Sequence, residues 1–161
     1  MDQATASQAI FRRWIEKWPV FTADLELPGG SIDGGFAPPT GVPYSLDNLV
    51  RPEQPLFARC GILSLDSEQW TLAPKGKGRT WQRTGMIVVR LNGPTNKGRV
   101  DLDLLAGIVR RIFEGEAIGA KLGDQGVITH AMSPSELRRD VESPNHWLLA
   151  CTTPFEYYER R

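Results

Sequence analysis

Residues 83–114 read RTGMIVVRLNGPTNKGRVDLDLLAGIVRRIFE, and this stretch decides the fold class. Met86, Ile87, Val88, Val89, Arg90 and Leu91 are mostly β-branched or apolar and read as a strand. Gly93, Pro94, Thr95, Asn96, Lys97 and Gly98 form a loop that continues neither regular structure. From near Asp101, residues Leu102, Leu105, Ile108, Val109, Ile112 and Phe113 recur at spacings of three and four, one apolar stripe along a helix.

A strand, a glycine loop and a helix together can bind phosphate, because backbone N–H groups and the helix N-terminus face the anion. Gly93 and Gly98 have the spacing of such a loop, but the positions that need lysine and a hydroxyl hold Arg99 and Val100. Val100 cannot ligate magnesium. Asp101 and Asp103 in the first helical turn suit the helix dipole and repel a triphosphate. The residues fit a tight crossing loop better, with the glycines serving backbone geometry.

Outward from this unit the chain reads as follows. Ile10, Phe11, Trp14, Ile15 and Trp18 make the apolar side of a first helix, capped by Thr5 or Ser7 and ended by Pro19. Residues 19–54, rich in glycine and proline, read as a long loop or arm with one short strand near 20–25. Residues 57–65 form a strand, and 69–73 pair back on it as a hairpin. A basic connection with Lys75, Lys77 and Arg79 leads into the strand at 81–91. After the helix, 117–121 and 125–130 each read as strands. Ser133, Pro134 and Glu136 suggest a capped short helix with Leu137 and Val141 on its apolar face. An aromatic strand at 147–157 closes the chain. The expected fold is α+β: a single domain over 1–161, with a mixed, mostly antiparallel sheet of four to six strands packed against two main helices.

With 161 residues, 40% of them hydrophobic and 24% charged, the composition is that of an ordinary globular domain with a real core. No apolar run is long enough to span a bilayer. Residues 1–8 lack the charged start and apolar core of a signal peptide, so the chain is expected to stay in the compartment that makes it. Cys60 and Cys151 lie in apolar runs without CxxC spacing and read as small buried hydrophobes in a reducing cytosol. Net charge is zero, from 19 basic and 19 acidic residues, which argues against a dedicated nucleic-acid binder. The charge is uneven: residues 55–100 sum to +6, and residues 1–54 and 101–145 to −3 each. A basic middle between acidic flanks would suit self-association.

No catalytic constellation emerges. His130 and His146 lack partners at metal-ligand spacing. Ser64 and Ser133 lack the turn of a hydrolase nucleophile. Asp101 and Asp103, two apart on a helix, point away from each other.

One pattern covers most of the chain. Arg83, Thr84 and Gly85 precede the apolar strand, Pro94 and Gly98 mark the loop, and Leu104, Ala106, Ile108 and Phe113 line the helix. The aromatic strand at 147–157 follows, and Phe11 and Trp14 stand in the first helix. In these features the chain resembles the tail terminator, or tail completion, family of long-tailed bacteriophages. The loop with Asp47 and Asn48 matches loosely, and the segments at 19–54 and 133–142 depart from the pattern. The resemblance implies a homohexameric ring on the head-proximal end of the tail tube. Such a ring stops tube polymerisation and offers the surface that joins the head–tail connector and neck proteins. Phage DNA passes through its bore without sequence-specific binding. The resemblance implies a virion protein assembled in the host cytoplasm, with no catalysis, cofactor, metal or membrane contact. A ring needs a heterologous, closing interface. The expected contact residues are Lys75, Lys77, Arg79, Arg83, Asp47 and Asn48. A head–tail connector or head-completion ring protein is the nearest alternative, and a small nucleotide-binding hydrolase is a more distant one.

Overall fold

The computed structural model describes residues 1–23, 25, 41–46, 56–69, 78, 80–95, 99–120, 126–142 and 144–160, the side chains of 64–67 and 69 excepted. Two helices, α1 (Gln3–Thr22) and α2 (Val100–Phe113), pack on one face of a mixed sheet. The strands are β1 (Tyr44–Leu46), β2 (Phe57–Gln69), β3 (Thr80–Pro94), β4 (Ala117–Ile118), β5 (Val127–Thr129), β6 (Ser133–Pro134), β7 (Arg138–Arg139) and β8 (His146–Arg160). Their order is β1-β2-β3-β8-β5-β4, with β6 and β7 also paired to β8. Among the described residues only the β1–β2 pair is parallel. The α+β class, the two helices and the mostly antiparallel sheet agree with the sequence reading.

The long antiparallel trio β2, β3 and β8 is the spine. Ile62, Ile87 and Thr153 stand side by side, as do Cys60, Val89 and Cys151, and Ala58, Leu91 and Leu149. These rows face the helices and, Ile62 and Thr153 aside, are fully buried. Trp14 is the hub of the layer between. Its ring centroid lies 4.4 Å from that of Trp18, 6.2 Å from the stacked Phe113 and 6.1 Å from the edge-on Tyr44. The register places Val89 between the two cysteines. They are therefore two strand spacings, about 9.6 Å, apart, and a disulfide cannot form. Both are buried and neither is in a disulfide.

Glycine is required where Gly85 crosses under Phe155. A Cβ there would sit 2.7 Å from the Leu63 carbonyl oxygen and inside the Phe155 ring. The aromatic ring takes the space that a side chain would have filled.

Four local expectations are corrected. The cap of α1 is Asp2, whose side chain accepts from the Thr5 backbone N–H at 2.7 Å. This hydrogen bond also holds the Asp2 carboxyl below its usual range. Next, α1 does not stop at Pro19, and no strand forms at 20–22, because the helix runs on to Thr22. The bond that Pro19 cannot donate would end on Ile15, which lies on the exposed side of the helix. The extra turn is held by tertiary contacts. Trp18 Nε1 donates to the Val42 carbonyl at 2.8 Å, and Thr22 Oγ1 accepts from the Val42 N–H at 3.3 Å.

The expected hairpin at 57–73 is instead a single strand, β2, paired with β3 along its whole length. A register shift between Ser64 and Asp66 absorbs the polar residues that read as a turn. Residues 70–73 lie outside the described set. Last, Ser133, Pro134 and Glu136 start no helix: this segment forms β6 and β7 on the edge of β8. Ser135 N–H donates to the Ala150 carbonyl at 2.7 Å, and Asp140 N–H to the His146 carbonyl at 2.9 Å. A helix of one or two turns is marginal alone, and its intended apolar residue Val141 is 92% exposed. The open edge of β8 offers more.

Candidate functional site

Among the described residues three places stand out: the start of the loop before α2, the outer face of α2, and the back of the sheet. Gly93, where the loop begins, is explained by packing. Gly93 continues β3, and a Cβ on it would press on Leu102 Cδ2 at 3.1 Å and Leu56 Cδ1 at 3.3 Å. The glycine lets two leucines close over the strand end. The helix that follows has Arg99 at its cap position with no side-chain capping bond, and Arg99 pairs forward with Asp103 at 3.0 Å. Residues 96–98 lie outside the described set.

Of the residues expected at contacts, only Arg83 is described. Its Nε and Nη2 both lie 3.0 Å from Glu159 Oε2, and its guanidinium carbon lies 5.7 Å from the Trp81 ring centroid. Arg83 thus ties β3 to β8 on the helix-facing side while keeping 23% of its side chain exposed. Lys75, Lys77, Arg79, Asp47 and Asn48 lie outside the described residues, as does most of the proposed arm at 19–54.

The back of the sheet was not singled out by the sequence. Strand alternation sends Phe57, Arg59 and Leu63 of β2 there, with Met86, Val88, Arg90 and Asn92 of β3 and Leu148, Thr152, Pro154 and Glu156 of β8. Two regions follow along it. At one end, the turn after β7 folds over the strands and forms a buried polar knot. Asn92 Nδ2 donates to Asp140 Oδ2 at 2.7 Å, and Glu142 N–H donates to Asp140 Oδ1 at 3.1 Å. Arg59 Nη2 donates to Glu142 Oε2 at 3.1 Å. Asn92, Asp140 and Arg59 are 0%, 4% and 8% exposed. At the other end, no helix among the described residues covers the strands. Leu63, Met86 and Pro154 lie side by side across β2, β3 and β8. Leu63 is 54% exposed, and Pro154 is also exposed. Beyond them Gln82 Nε2 donates to Glu156 Oε2 at 2.6 Å. Partial burial, and after it the Glu156 carboxylate, push the Tyr158 phenol upward.

Neither buried thiol is placed for nucleophilic chemistry. Burial pushes the Cys151 thiol up to about 12, so it is not ionised near neutrality. No group of three His, Cys, Asp or Glu side chains converges as a metal site among the described residues. No described helix is long and apolar enough to cross a membrane. An alternating-strand signal at 81–91 could have pointed to the exposed row, since Met86 and Val88 share a face. The knot carried no local signal, because Asn92 and Asp140 are 48 residues apart in the chain.

No family model and no curated protein matches this sequence. Solved structures do share the fold. One, known only by a sequence label, aligns over 94% of both chains with a TM-score of 0.56 and 11% identity. Another is a chain in the virion of a native gene transfer agent particle. It aligns over 98% of this chain and 100% of its own length, with a TM-score of 0.50 and 9% identity. At such identities the likeness establishes a shared fold, here spanning nearly the whole of each chain.

Proposed function

We propose that this chain is a virion structural protein, and more specifically a tail terminator. In this reading it forms a homohexameric ring on the head-proximal end of the tail tube. The ring ends tube growth, meets the head–tail connector and neck proteins, and leaves a bore for DNA. It works as an assembly part, without catalysis or cofactor.

One observation carries the proposal: the fold is shared end to end with a chain of a gene transfer agent virion. The sequence pattern that resembles tail terminators covers most of the same chain, the segments at 19–54 and 133–142 aside. Gly93 supports the structural reading of the loop, since leucine packing accounts for it without a phosphate.

The test is electron microscopy of the purified protein, alone and mixed with self-assembled tail tubes. Sixfold rings, or caps on one tube end that halt growth, are the expected result. Binding to portal rings with no effect on tubes would move the assignment to a head–tail connector. A shift in thermal midpoint with ATP or GTP plus magnesium, and no ring on either partner, would overturn it in favour of a nucleotide-binding protein.

A further inference from the structure

Two surfaces that no described element covers lie on opposite sides of the subunit. The first is the outer face of α2. Val100, 57% exposed, and Leu104, 40% exposed, share it with Gly107, and Arg111 closes the strip. Arg111 is held there over the Phe21 ring, 4.5 Å from its centroid. Gly107 stands inside a helix, where glycine costs about 1 kcal/mol relative to alanine. A Cβ at Gly107 would meet none of the described residues within 4 Å, so none of them requires glycine there. The second surface is the row Leu63, Met86 and Pro154 on the back of the sheet. Arg90 bounds that row toward one end of the strands, and Glu156 bounds it toward the other.

The two surfaces are complementary. Both are apolar at the centre. At the N-terminal end of the α2 strip Arg99 and Asp103 neutralise each other, and Arg111 stands at its C-terminal end. A helix laid along the strands with its C-terminal end toward Glu156 brings Arg111 to a carboxylate. Opposite charges then meet at that end, and the neutral end lies over the apolar side of the row. The bare Gly107 lets the helix backbone come close to the strands beneath it.

We propose that the outer face of α2 in one copy of this chain packs on the Leu63–Met86–Pro154 row of the next copy. The inference rests on the ring reading above and supplies its interface. The contact joins two different surfaces that point in opposite directions. It is therefore heterologous, the kind that builds a ring when the rotation closes.

Disulfide trapping tests it. Leu104→Cys and Met86→Cys are made singly and together, oxidised mildly, and run on non-reducing gels. Native Cys60 and Cys151 are 0% exposed and silent in the folded protein. The two new thiols lie on opposite sides of one subunit and cannot bridge within it. The expected result is a ladder from the double variant, ending in a closed species, and monomer from each single variant. Gly107→Arg added to the double variant should abolish the ladder without lowering the thermal midpoint. A crosslinked dimer from either single variant would show a symmetric contact and overturn the inference. So would a double variant that stays monomeric while the same protein forms rings on grids, which would keep the ring reading and sink only this interface. A ladder that never closes would uphold the contact and sink the ring.

Discussion

The two faces of the sheet are finished in different ways. The helix-facing side is closed by shape: Trp14, Trp18, Phe113 and the rows around Val89 are fully buried and touch one another. The back is closed at one end by a polar knot and left open at the other by an apolar row. A shape-closed face resists change because a cavity costs both transfer energy and contacts. A face closed by hydrogen bonds depends instead on keeping partners matched, since a buried group that loses its partner keeps its desolvation cost. The open row depends on neither. The contrast teaches that one face of the three strands holds the fold together along its whole length and the other only at one end.

The largest break in this comparison should come from Trp14→Ala, which should destabilise the fold by about 3–5 kcal/mol in denaturant unfolding. A loss below 1 kcal/mol would mean that the aromatic hub does not organise the helix-facing side. On the back, Asp140→Ala strands Asn92 Nδ2 and should cost about 1–3 kcal/mol. The double variant Asn92→Leu/Asp140→Leu should recover much of that, because replacing both partners removes the unpaired group. An additive double variant would show that the knot is not a coupled unit.

Cys151 sharpens the contrast through pH. Its folded value is raised to about 12 from an ordinary 9.0, so the native state holds this proton more tightly than the unfolded chain. Its contribution to stability is therefore complete below pH 9 and is lost as pH rises toward 12. Cys151→Ala should flatten the alkaline decline in unfolding free energy, and an unchanged slope would assign the decline to other groups. Thiol reagents should label neither cysteine until the protein is denatured.

Smaller effects belong to the surfaces proposed for assembly. Gly107→Ala should raise the stability of the isolated chain by about 0.5–1 kcal/mol in thermal unfolding. A loss instead would mean that the helix needs glycine for an internal reason. Met86→Gln should change stability by less than about 0.5 kcal/mol and still weaken association measured by sedimentation. If it left association intact, the open row would not be an interface.

Much of the architecture was legible in the sequence because it rests on periodicity. The stripe from Leu102 to Phe113 and the β-branched run before it specify α2 and β3 whatever surrounds them. Pro19 misled because a local rule about helix ends yielded to Trp18 and Thr22, which bond to the segment at Val42. Ser133 and Pro134 misled in the same way, since the edge of β8 offered backbone partners that no local signal announces. Of the expected contact residues, Arg83 is tied to Glu159, a partner 76 positions away that no local rule could supply.

By itself the sequence determined the class of fold, the two helices, the long strands and the burial of both cysteines. These follow from the alternation and spacing of apolar side chains, which are local properties of the chain. Only the tertiary structure decided which face of β2, β3 and β8 the helices cover and which they leave. It alone brought Asn92 to Asp140, and it alone set the α2 strip and the Leu63–Met86–Pro154 row on opposite sides. Those outcomes depend on strand order, register and the direction in which each helix crosses the sheet. They are set by contacts between residues far apart in the chain, and a reading of neighbouring residues does not contain them.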